Sequence, residues 1–233
     1  MTPLDYTKHK RILLQILKDI YTDTAIAPVL GFKGGTAAML FYDLERHSVD
    51  LDFDLTQPAQ KDMVFQALHT IASKYGTLRE QREKKSTLLF TLSPGEHQAH
   101  VKVEVNVRQF SSHYEYKNLL GVPMQVMVPA DMFAHKLMAL YERKGYASRD
   151  IFDVCEFFKK GWCFNHDIIT ERSGTTVRAV LETCATHIEK INPGTLLDGL
   201  GSLLTDEKRT WAKARMRDDA LFSLHAAVAE LPS

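Results

Sequence analysis

At 233 residues the chain is long enough for one large domain or two small ones. Its 45% hydrophobic and 25% charged residues are those of an ordinary protein able to build a core. With 29 basic against 29 acidic residues the formal charge is zero, which excludes a global nucleic-acid footprint but leaves local basic patches open.

Cys155, Cys163 and Cys184 show no CxxC spacing and no histidine placed to complete a zinc site, so reduced, mostly buried thiols are expected. The ten histidines include no HxH or HExxH pattern, so His-zinc catalysis has no support. The N-terminal segment lacks a signal-peptide core. No apolar run approaches the ~20 residues needed to span a membrane. A cytoplasmic protein with no membrane partner is expected.

A first helix, capped by Thr2 or Asp5 and running to about Tyr21, places Ile12, Leu13, Ile16, Leu17 and Ile20 on one face. Residues 26–32 (IAPVLGF) fit a buried strand. Gly34 and Gly35 break it, and TAAMLFYDL follows as a helix of two turns. SVDLDFDL is the next strand, with Asp50, Asp52 and Asp54 at alternate positions. Alternate strand residues share a face, so three carboxylates line up there while Leu51, Phe53 and Leu55 pack behind. Like charges at that spacing cost stability unless a cation sits between them, the first sign of a metal site.

Pro58 suits the first turn of a helix over 59–74. Residues 78–85, 86–92 and 100–110 read as a meander, with SPGE (93–96) as a hairpin turn. In the last of these strands Val101, Val103, Val105 and Val107 alternate with Lys102, Glu104, Asn106 and Arg108. Its polar face is either plain solvent exposure or one wall of a charged cleft. A short strand, MQVMV, leads into a helix from Pro129 to about Arg143. Gly145 and Ser148 would stop this helix and cap the next, RDIFDVCEFFKK (149–160). Only helical patterns follow: 165–172, 175–190, 194–204 and 206–230, the last with a break near Asp218. The change from mixed to all-helical character near 125–130 divides the chain into an α+β domain (1–127) and a helical domain (128–233).

A Gly-Gly turn entering a helix brings backbone N–H groups and the helix's positive end within reach of a phosphate, and Thr36 adds a hydroxyl. Asp50 and Asp52 supply hard oxygens suited to Mg²⁺, which takes one or two protein carboxylates plus substrate phosphates. Two ions ~4 Å apart would activate an attacking hydroxyl and neutralise a leaving pyrophosphate. Glu104 is the best-placed third acid, although Lys102 or Arg108 could pair with it instead. Asp54 is either an outer support or a ligand. Lys136 and Arg143, on one face of their helix, suit triphosphate or a solvated surface. Arg149-Asp150 could be no more than a helix N-terminal charge pair, and Asp153 a surface acid. Arg46 is placed to face phosphate or RNA, and Ser48 to brace the DxD strand. A basic cluster around Trp211 (Lys208, Arg209, Lys213, Arg215, Arg217) reads best as a solvated helix.

The order GG[T/S], helix, RxSxDxD and a later strand acid resembles the DNA polymerase β-type nucleotidyltransferase superfamily. KGGTAAMLFYDLERHSVDLDFDL (33–55) is similar to its AbiEii/AbiGii toxin branch, as is HKLMALYERKGYASRDIFDV (135–154), which resembles that branch's K-x-x-A-x-x-x-R…RDxxD segment. The order of elements agrees over roughly 1–160, and the C-terminal helices carry no matching motif. The resemblance implies a nucleotidyltransferase-like mixed sheet with flanking helices, followed by a C-terminal helical domain that completes the active-site cleft. It implies a Mg²⁺-dependent enzyme using an NTP, acting as the toxin of a toxin–antitoxin or abortive-infection pair. Its acceptor would be tRNA or another RNA, and its partner a cognate antitoxin. It matches Gly34, Gly35 and Thr36 to the phosphate-binding turn, Asp50 and Asp52 to the metal-binding pair, Lys136 to the lysine of the second segment and Asp150 to the acid of its RD pair. Taken with the residue-level reading, Asp50, Asp52 and Glu104 are expected at metal, and Lys33, Gly34, Gly35, Thr36, Ser48, Lys136 and Arg143 at nucleotide. Lys136 and Asp150 join the three metal-binding acids as catalytic residues. The alternatives are a catalytically silent NTP- or RNA-binding protein on the same fold, and a metal-dependent nuclease. The latter usually wants acid-x-Lys, whereas here the order is Lys102-Val-Glu104.

Overall fold

The computed structural model describes residues 5–95, 99–143, 145 and 147–232. The chain forms two compact units. The first comprises the described residues up to 43 with 47–109 and 113–127; the second comprises 44–46, 110–112 and everything from 128.

The first unit begins with α1 (Tyr6–Thr22), capped by Asp5, whose carboxylate accepts from the Lys8 N–H at 3.1 Å. Thr2, the other expected cap, lies outside the described residues. Leu13, Ile16, Leu17 and Ile20 are buried, the stripe its period requires, while Ile12 is half-buried. Residues 26–32 do not form one strand. Pro28 has no N–H to give a ladder, so Ala27–Val29 makes a 3₁₀ turn and β1 is confined to Leu30–Lys33. Helix α2 (Gly34–Phe41) follows at once, then β2 (Asp50–Leu55), a 3₁₀ turn at Pro58–Gln60 and α3 (Lys61–Ser73). The remaining strands are β3 (Thr77–Glu83), β4 (Thr87–Ser93), β5 (Val101–Asn106), β6 (Tyr114–Leu119) and β7 (Val122–Met127). Strand β5 therefore stops short of Val107 and Arg108. Most of the proposed SPGE turn is described, but Glu96 is not.

These strands form one mixed sheet in the order β3-β4-β5-β2-β1-β7-β6. Strand β2 is central, antiparallel to β1 and parallel to β5. One face carries Leu30, Phe32, Leu51, Phe53, Leu55, Phe90, Val103 and Val105, all buried, against which α1 and α3 pack. The other face carries the polar alternates, which puts every acid of the DxDxD run on the side away from that core.

Strand β6 was not expected. Its hairpin to β7 turns through Leu120 (φ 52°) and Gly121 (φ 83°), two consecutive left-handed residues, as a tight primed turn requires. A leucine at the first of these positions hides the turn from sequence reading.

The second unit contains α4 (Pro129–Glu142), α5 (Ser148–Lys159), α6 (His166–Ser173), α7 (Val177–Glu189) and α8 (Asp206–Glu230). Phe133 is its aromatic centre, edge-on to Phe157, Phe158 and Phe164 at centroid distances of 5.5, 4.8 and 5.5 Å. Asn165, Thr176 and Thr205 cap the last three helices through their side chains. Three expectations change here. Ser148 is the first helical residue of α5, with Ala147 at the cap position. Residues 194–204 form two short 3₁₀ turns, because Gly199 at φ 67° leaves the right-handed region. Helix α8 runs unbroken past Asp218. No helix among the described residues is long and apolar enough to cross a membrane.

Candidate active site

Register builds the acidic face. Along the parallel β2–β5 pair, Asp50 lies opposite Lys102, Asp52 opposite Glu104 and Asp54 opposite Asn106. Across β1, Lys33 lies opposite Asp52 and Gly31 opposite Asp54. Paired residues project to the same side, so the register puts Asp50, Asp52 and Glu104 on one face of the sheet, with Asp52 and Glu104 directly across from each other.

Helix α2 starts against this face. Gly34 has φ 76°, and a Cβ placed there would lie 2.5 Å from Asp52 Oδ2. Only glycine allows the backbone so close to the carboxylate while holding a left-handed conformation. Thr36 is fully buried and its hydroxyl donates to the Asp50 carbonyl, tying the helix to the first residue of β2. The hydroxyl is thus engaged by the backbone, while the first N–H groups of the helix have no intrahelical acceptor. Ser48 is half-buried two residues before β2. The loop leading to that strand is held to α1 by His9, whose Nε2 lies 2.9 Å from the Val49 carbonyl, and by Tyr6 stacked on His47 at 4.2 Å.

Asp54 takes the supporting role. It is buried and accepts from Lys33 Nζ, from Asn106 Nδ2 at 2.7 Å and from the Tyr114 hydroxyl at 2.7 Å. Lys33, expected at the nucleotide, is therefore ion-paired to Asp54. Tyr114 lies over Gly31, where a Cβ would meet its ring at 2.1 Å. Sequence reading missed Tyr114, and with β6 unrecognised no signal pointed to it.

Burial pushes the Asp54 carboxyl up, but Lys33 and the three donated hydrogen bonds outweigh burial and hold it below the usual carboxylate range. A depressed folded-state value contributes stability above the unfolded value of about 3.9, and that stability is lost as pH falls through the folded value. Asp54→Asn should therefore lower the urea midpoint at pH 7, and the gap from wild type should shrink steadily below about pH 4. A gap independent of pH would contradict this assignment.

Glu104 is engaged by Lys102, the nearer of its two candidate partners. Among the described residues no three of His, Cys, Asp and Glu are gathered as a ready metal cluster. Asp50 and Asp52 nonetheless suit Mg²⁺, whose protein ligands are typically one or two carboxylates.

In the helical unit, Asp153 is fully buried rather than a surface acid. It accepts from Arg46 Nε at 2.6 Å and Nη2 at 2.8 Å, and lies 2.9 Å from Lys136 Nζ. Arg46, expected to face phosphate or RNA, is 6% exposed and fills this bidentate pair. Lys136 also donates to Asp150 Oδ1 at 2.8 Å. Arg143 lies just past the end of α4, not on it, with Nη2 3.3 Å from Asp150 Oδ2. No hydrogen bond reaches Asp150 Oδ2 or Ser148 Oγ, both buried. Burial pulls the Lys136 ammonium down, but Asp150 and Asp153 override it and keep it charged. The same two cations hold the Asp153 carboxyl low against the opposing pull of burial.

The basic cluster of α8 is largely paired. Lys208 meets Glu45 and Glu156, Arg209 meets Asp206, Arg215 meets Asp219, and Arg217 donates to the Glu189 carbonyl. Cys155 and Cys184 are buried, with thiols pushed up to about 12 by desolvation, and Cys163 is exposed.

A mixed sheet with acids on its central strand, a glycine-initiated helix against them and a following helical unit define a nucleotidyltransferase fold. Two solved structures share it. A candidate nucleotidyltransferase from H. pylori matches with a TM-score of 0.59 at 19% identity, over 95% of this chain and 96% of that one. JHP933 from Helicobacter pylori matches with a TM-score of 0.56 at 20% identity, over 96% and 95%. At such identities the likeness speaks for the fold alone. No curated protein is similar in sequence. The model of the nucleotidyl transferase AbiEii toxin family, of type IV toxin–antitoxin systems, matches residues 15–229. The chain belongs to this family and is a nucleotidyltransferase.

Proposed function

We propose that this toxin transfers a nucleotide from an NTP to an RNA acceptor, tRNA foremost, in a Mg²⁺-dependent reaction in the cytoplasm, and that a cognate antitoxin restrains it. The observation that carries the reading is the close approach of the α2 start to Asp52, where Gly34 has no room for a side chain. Asp50 and Asp52 would hold the ion, with Glu104 as the third acid. When bound, it would supply activation of the attacking hydroxyl and charge neutralisation at the departing pyrophosphate. The N–H groups of Gly34, Gly35 and Thr36 would bind and orient the triphosphate. Asp54, held by Lys33, Asn106 and Tyr114, keeps β2 in place. In the helical unit we assign Lys136 and Arg143 to phosphate charge and Asp150 to orienting Lys136.

The test is incubation of the purified protein with each labelled NTP and total tRNA, with Mg²⁺ or with EDTA. Label should enter RNA with at least one NTP and only with the metal. NTP binding without label in any acceptor would favour the silent binding protein, and shortened RNA the nuclease.

A further inference from the structure

The acidic face holds a cation of its own. Lys102 sits opposite Asp50 on the neighbouring strand and two residues before Glu104, with its ammonium on the Glu104 carboxylate. We propose that Lys102 is the tethered counter-ion of the carboxylate set, holding Glu104 while no metal is bound and releasing it when a divalent ion enters. This rests on the assignment of Asp50, Asp52 and Glu104 to metal.

The geometry is specific to the parallel register. On an isolated strand Lys102 and Glu104 would be same-face neighbours and nothing more. Paired with β2, the same side chains share a face with Asp50 and Asp52, so the ammonium that pairs with Glu104 also lies in the field of those two carboxylates. Burial lowers the Lys102 ammonium, while Glu104 first, then Asp52 and Asp50, raise it to a net value above the ordinary range. The same positive charge must be displaced for Glu104 to become a ligand. The two side chains are 39% and 35% exposed, so screening limits the competition, and a long flexible stem lets the ammonium leave without moving the strand.

The experiment is Mn²⁺ binding by electron paramagnetic resonance to wild type, Lys102→Met, Glu104→Gln and the double variant, with metal-free melting temperatures alongside. Lys102→Met should bind Mn²⁺ about fivefold more tightly and melt lower without metal than wild type. In the Glu104→Gln background the same substitution should change affinity little, because the carboxylate to be released is gone. An equal gain in both backgrounds would mean that Lys102 acts only through general charge, and would overturn the proposal, as would an unchanged or weaker affinity in Lys102→Met. Absence of Mn²⁺ binding in all four proteins would overturn the metal assignment itself. Binding in wild type without the predicted coupling would overturn the role of Lys102 alone.

Discussion

Asp52→Asn is expected to lower nucleotide transfer by on the order of 10³-fold while leaving the fold intact, because a preorganised charge at the reacting centre is worth that much in comparable sites. The amide matches the carboxylate in shape, so the contact with Gly34 survives and only the charge is lost. Circular dichroism should be unchanged and Mn²⁺ binding weakened in parallel with activity. Gly34→Ala approaches the same point from the other side. Its Cβ would lie 2.5 Å from Asp52 Oδ2, and φ 76° adds about 1–2 kcal/mol of strain. Either α2 must retreat or Asp52 must turn, so transfer should fall although every acid remains. Gly121→Ala separates the two causes: that glycine has φ 83° but nothing within 4 Å of a Cβ. It should lose stability without losing transfer. Equal activity loss in Gly34→Ala and Gly121→Ala would show that the contact at Asp52 is irrelevant.

Asp153→Asn is expected to destabilise the helical unit by about 3–5 kcal/mol, the cost of stranding buried cations without their partner. Arg46 spends two N–H groups on this one carboxylate, and its side chain is 3% exposed. Lys136 would keep Asp150, so most of the loss belongs to Arg46. The double variant Arg46→Met, Asp153→Leu should recover much of it, since apolar groups can replace a buried pair that neither partner tolerates losing alone. Calorimetry of the single and double variants gives the comparison. A single variant within about 1 kcal/mol of wild type would mean that water reaches Arg46.

What the sequence revealed follows from where periodicity is strict. Helix α1, the alternating acids of β2 and the valines of β5 each face the core on one side only, so hydrophobic pattern and geometry coincide. Helix α5 is the opposite case. Ile151, Phe152, Asp153, Val154, Cys155, Glu156 and Phe157 are all buried, so no exposed stripe remains to show which side is which. The burial of Asp153 depends on Arg46, more than a hundred positions away, and no local pattern records that pairing. Strand β6 failed for another reason. Tyr114, Tyr116 and Glu115 alternate at an edge with little burial, and Leu120 stands where a turn normally advertises itself with glycine or asparagine. In the candidate site, the residue types of the glycine turn and the DxD pair were readable. That Lys33 and Thr36 are engaged by Asp54 and the Asp50 backbone was not, because those bonds are set by cross-strand register and by how α2 meets β2.

The parallel pairing of β2 with β5 also sets an order of events as the chain folds. Strand β2 and its acids are synthesised early, but their neighbour on that side comes only after α3 and the β3–β4 hairpin. Closing so long a loop is slow compared with forming the local helices. Until it closes, three like charges sit on one strand without Lys102 beside them, and the third acid of the candidate set is elsewhere. A growing chain of this toxin would therefore carry its glycine turn and its first two acids well before it could bring Glu104 to them.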